Sequence, residues 1–141
     1  MKKIIIAIAL IMMSFSTLHA INGSMNRNAL KHANPMPNLM RIAVGNADLL
    51  GINAEQMKSM QQWMTTNKPT MKNMIQKVMH EEKMLLEEAL TTDTDTVKKA
   101  EVMLETRKQI IEMKTKCRAY LRSVLTKEQY ANVIQIYRSE Q

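Results

Sequence analysis

From Asn53 onward, Met57, Met60, Met64 and Met71 recur at spacings of three, four and seven, and the row continues through Met74, Ile75, Val78, Leu85 and Ala89. That period is one face of an amphipathic helix. Pro69, in "NKPT" at 67–70, predicts a kink or a break, because proline cannot donate the backbone hydrogen bond of its turn. The pattern fails at "TTDTDT", 91–96, where hydroxyls and carboxylates compete for the backbone. Thr92 or Asp93 is the expected cap of a second long helix, reaching about Ser123. Its apolar stripe is Met103, Leu104, Ile110, Ile111, Cys117, Leu121 and Val124. A last helix starts at Thr126 and places Tyr130, Val133, Ile134 and Tyr137 on one face.

Upstream, a short helix is expected from Pro37 to about Ala47, with Pro37 in its first turn. Residues 21–36 mix Asn, Gly and Pro without a period and predict a flexible N-terminal arm. Alternating β-branched runs are missing. The fold class is therefore all-α, about four helices of which two are long, in a single domain over 37–141.

Two helix starts share one pattern. Leu125-Thr126-x-x-Gln129 and Ile52-Asn53-x-x-Gln56 each put a capping side chain three residues before a glutamine, after an apolar residue. That is a capping box with a staple residue, which starts a helix at a fixed angle after a turn.

The chain opens "MKKIIIAIALIMMSFSTLHA". Two lysines, a short apolar run and small residues before Ala20 make the layout of a secretory signal peptide over 1–20. The run is too short for a bilayer core, so no membrane span is expected after cleavage. Loss of Lys2 and Lys3 leaves 18 of the 20 basic residues against 13 acidic ones, a net charge near +5. The positive charge is diffuse, and the aromatics after residue 20 are Trp63, Tyr120, Tyr130 and Tyr137 alone. A nucleic-acid surface would need a basic patch interleaved with stacking rings, so no nucleic-acid partner is expected. The single cysteine, Cys117, excludes an internal disulfide framework. Its place on the apolar stripe leaves two roles open, a buried core residue or a subunit contact.

Two such boxes in an exported, basic, all-α chain of this length resemble the Spy/CpxP/ZraP group of periplasmic proteins, whose hallmark is a repeated Leu-Thr-x-x-Gln. The resemblance covers roughly residues 37 to 138. "LTKEQ" is complete, whereas "INAEQ" departs at its first two positions and keeps the capping chemistry through Asn53. "TDTDTVKKAE" is similar to the turn between the two long helices of Spy-like members. The resemblance implies a bent helical hairpin that pairs into a cradle-shaped antiparallel homodimer. It also implies an ATP-independent periplasmic chaperone that binds unfolded or misfolded envelope proteins under stress. CpxP-like members add docking to the periplasmic domain of a sensor kinase, and ZraP-like members add zinc.

Methionine is flexible and polarizable, which suits a surface that binds many partners. Met57, Met60, Met64, Met71 and Met74 are the first client-binding candidates, with ordinary core packing as the alternative. Arg107, Ile111, Lys114 and Arg118 form a mixed basic and apolar stripe and are the second set, with a solvated helix face as the alternative. No catalytic set emerges. Cys117 lies on an apolar stripe where its reactivity should fall, and the Glu and Lys residues around 77–88 are expected to be solvated, so a non-enzyme is expected and no cofactor is required. For metal, His80 and Met84 stand four apart on one helix side and suit Cu(I), as do His32, Met36 and Met40. Zn(II) wants about four N or S ligands, which the chain cannot readily gather. A copper or zinc accessory protein, or a regulatory adaptor of a two-component sensor kinase, is thus the alternative function.

Overall fold

The computed structural model describes residues 36–93 and 95–140. The expected signal peptide over 1–20 and His32 lie outside the described residues, as does the expected arm except for Met36. Four helices follow in order: α1 (Leu39–Gly45), α2 (Ala54–Thr91), α3 (Thr96–Val124) and α4 (Lys127–Ser139). Among the described residues there is no strand, so the all-α expectation holds. No helix among them is long and apolar enough to cross a membrane.

Each helix start has a local cause. Asn38 caps α1, its Oδ1 accepting the Arg41 backbone N–H at 3.4 Å, so the helix begins after Pro37 rather than at it. Asn53 and Thr126 cap α2 and α4 as complete capping boxes. The cap of α3 is Asp95 rather than Thr92 or Asp93. Its carboxylate accepts the backbone N–H groups of Val97 and Lys98, each at 3.1 Å. A negative group there also meets the positive end of the helix dipole. Thr92 closes α2 instead, donating its backbone N–H to the Glu88 carbonyl at 2.9 Å.

Pro69 does not break α2, which runs unbroken for 38 residues. At roughly 1.5 Å per residue that is about 57 Å. Residues on both sides of the proline, Met60 before it and Ile75 and Val78 after it, are buried. Tertiary packing thereby outweighs the local cost of the missing donor.

Helices α2 and α3 run antiparallel and form the most extensive contact of the fold. Glu88 meets Lys99 at 2.5 Å, Glu82 pairs with Arg107, and Ser59 O accepts the Tyr120 hydroxyl at 2.9 Å. Two apolar clusters lie along this pair. The larger joins Leu39, Met40, Ile42, Ala43 and Leu50 to Met60, Cys117, Leu121, Leu125 and Val133. It draws on all four helices. The smaller consists of Ile75, Val78, Met103 and Ile110 and belongs to α2 and α3 alone. The α3 stripe of the sequence splits accordingly. Met103, Ile110, Cys117 and Leu121 are buried, while Leu104 and Ile111 are 53% and 39% exposed. They stand one residue, about 100°, round the helix from Met103 and Ile110.

Candidate functional site

The two helix starts that share a sequence pattern lie against each other. Gln56 Oε1 accepts the Asn53 N–H at 3.0 Å, and Gln129 Oε1 accepts the Thr126 N–H at 2.9 Å. Each amide nitrogen then reaches across. Gln56 Nε2 donates to the Val124 carbonyl at 3.0 Å, and Gln129 Nε2 donates to the Gly51 carbonyl at 2.9 Å. Both carbonyls stand two residues before the opposite cap. The repeat is therefore a reciprocal clasp with near-twofold symmetry in its hydrogen bonds. It fixes the start of α2 against the turn between α3 and α4. Gly51 supplies its carbonyl from a left-handed backbone, φ +60°, which glycine adopts without strain. Leu125 is buried beneath the clasp and Ile52 is half-buried beside it.

Beyond the clasp, α1, α2 and α3 enclose a partly open groove of about 370 Å³. Its apolar wall is Met40, Val44, Trp63, Met64, Met71, Met113 and Cys117. Trp63 stacks on Tyr120 with ring centres 5.8 Å apart and planes at 26°, which holds the indole flat against the helix pair. The polar lining is Asn38, Asn67, Arg41, Lys68 and Lys114. Asn67 Nδ2 is engaged with the Trp63 carbonyl at 2.9 Å, and Arg41 pairs with Glu140 at 3.1 Å. No carboxylate lines the groove.

Its electrostatics centre on Lys114 and Cys117. Burial pulls the Lys114 ammonium below its ordinary value, opposed by the negative charge that a Cys117 thiolate would bring. Burial also pushes the Cys117 thiol up, opposed by the Lys114 charge. Desolvation dominates in both, so the thiol is held protonated and poorly nucleophilic. Cys117 is free and buried in the larger core.

Of the client-binding candidates, only Met64, Met71 and Lys114 line this groove. Met60 is wholly buried and fills the core. Met57 packs against the larger cluster and Met74 against the smaller. Arg107 is committed to Glu82 across the helix pair. Ile111 and Arg118 are exposed on α3, away from the groove lining. The basic stripe read from α3 is thus divided among an interhelical ion pair, a groove wall and solvent.

Of the metal candidates, His80 and Met84 are both exposed on α2, and His32 lies outside the described residues. Met36 is half-buried and Met40 is buried in the larger core. Among the described residues no three His, Cys, Asp or Glu side chains cluster as a metal site. Of the capping residues, Asn53, Gln56, Thr126 and Gln129 form the clasp, and Ile52 and Leu125 are the apolar residues before its two caps.

Sequence reasoning missed Met40, Val44, Trp63, Lys68 and Met113 as groove residues. Trp63 and Met113 carried a signal, since Trp63 lies three residues after Met60 and Met113 four before Cys117, each on the same side of its helix. The contribution of α1 carried none, because only tertiary packing sets its register against α2. Compared with protein-family models, with curated proteins and with solved structures, the chain matches none.

Proposed function

We propose that this chain is an exported, ATP-independent holder of unfolded envelope proteins, of the Spy/CpxP/ZraP kind, acting as a bent, cradle-shaped antiparallel homodimer in the periplasm. One observation carries the reading: a groove walled by half-buried methionines and a tryptophan, with free lysines at its side and no carboxylate. Thioether side chains adapt their shape to different apolar segments. Lys68 and Lys114 attract acidic stretches of a client over a Debye length of about 8–10 Å. Each contact is weak, so a client can leave and fold.

The leader-like start and the net positive charge support export and attraction to acidic chains. The two interlocked capping boxes support the family assignment, because the repeat has a joint structural purpose. Leu86, Leu90, Val97, Val102 and Leu104 are each more than half exposed on the distal stretch of α2 and α3. An apolar surface of that kind supports pairing with a second copy or contact with a client.

The test is light scattering from a chemically unfolded client diluted into buffer without nucleotide. The expected outcome is suppressed aggregation at one dimer per client, reduced by Met64→Gln with Met71→Gln. Undiminished scattering at that ratio removes the reading.

A further inference from the structure

The groove holds a half-buried ammonium with no counter-ion among the described residues. Lys114 is half-buried against Cys117 and Met113, and among the described residues its ammonium meets no carboxylate. Lys68, the second lysine in the lining, has no acidic partner among them either. The third cation, Arg41, is already engaged by Glu140. A desolvated cation without a counter-ion is costly, and an anion from outside offsets that cost. The rest of the wall is apolar and built mostly of flexible thioethers.

We infer that the groove is a binding site for a single-chain fatty carboxylate, with the acyl chain along Met64, Met71, Met113 and Trp63 and the carboxylate on Lys114 and Lys68. Charge complementarity selects the head group, since the lining holds two lysines with no acidic partner among the described residues and no acid of its own. Size selects one chain. The volume, about 370 Å³, lies at the lower end of the range for small-molecule sites, about 300–1,000 Å³. The site does not depend on holding activity. A bound acyl chain would occupy the same wall that a client side chain uses, so the two would compete.

Trp63 is the only tryptophan of the chain and stands in the wall, so its emission reports occupancy. The probe is sodium dodecanoate, added below its micellar concentration to the full-length processed protein. The expected result is a saturable blue shift with one dodecanoate per chain. Lys114→Met should weaken it by about tenfold or more, Lys68→Ala should weaken it less, and Lys114→Arg should retain it. Circular dichroism checks that each variant keeps its helicity. Dodecyl maltoside, with the same chain and no charge, should bind at least about tenfold more weakly. No saturable shift, equal binding of dodecyl maltoside, or undiminished binding by a folded variant carrying both Lys114→Met and Lys68→Ala would overturn the proposal. The scattering assay is separate: dodecanoate binding without suppression of aggregation sinks the holding reading alone, and the reverse sinks this one alone.

Discussion

The side-chain amides of Gln56 and Gln129 donate to each other's carbonyl oxygens, at 2.9 and 3.3 Å, although 73 residues separate them in the chain. Each glutamine also holds its own helix start and a carbonyl beside the other. Loss of either therefore frees partners on both sides of the clasp.

Gln129→Ala should cost about 2–3 kcal/mol of unfolding free energy, from several hydrogen bonds of about 1 kcal/mol each. Gln56→Ala should cost a similar amount. The double variant should cost less than the sum by roughly 1 kcal/mol, since both single changes remove the same mutual contact. A denaturant-unfolding cycle measures this, and strict additivity would mean that the two boxes act independently.

Gly51 is the one described residue with positive φ. A Cβ there meets nothing within 4 Å, so the cost of Gly51→Ala is backbone strain rather than collision. It should be about 1–2 kcal/mol. A neutral substitution would show that the turn relaxes to another conformation.

Pro69 is exposed inside a continuous helix. Pro69→Ala should raise stability, by at most about 3 kcal/mol, seen as a higher midpoint in thermal unfolding. Its neighbours Asn67, Lys68 and Met71 line the groove, so the same substitution should also change client holding. Greater stability with unaltered holding would mean that the proline does not shape the groove.

Lys114 gives a pH dependence of defined sign. Burial sets its folded value below its unfolded value. Below the folded value both states carry the charge, and folding bears the full cost of desolvating it. That cost fades as pH rises through the folded value and is gone above the unfolded one. Lys114→Met should therefore be more stable than the parent at about pH 7, by a margin that shrinks toward about pH 10. Cys117 shifts the other way, so the comparison is cleanest with Cys117→Ala in both proteins. A margin independent of pH would contradict a desolvated ammonium.

Much of the architecture was legible along the chain because it is local. Helical spacing marked α2 and α3, the Asp and Thr run marked the turn, and two boxes marked their helix starts. The site was not local. Met60 and Met64 lie four apart on one stripe, yet one is sealed in the core and the other lines a groove. The difference is made by where α1 lies, and no periodicity within α2 encodes it. Pro69 and Asp95 show the same limit in reverse. Packing carried a helix past a residue that breaks helices. Among several residues able to cap, the one adjacent to the first helical turn took the role.

The most direct measurement is methyl-resolved NMR on methionine-labelled protein titrated with an unfolded, nonaggregating client. The account predicts that the Met64, Met71 and Met113 methyl signals shift and broaden in a saturable manner while the buried Met60 and Met103 signals stay nearly fixed. Shifts confined to methionines outside the groove, or no change as client is added, would contradict it.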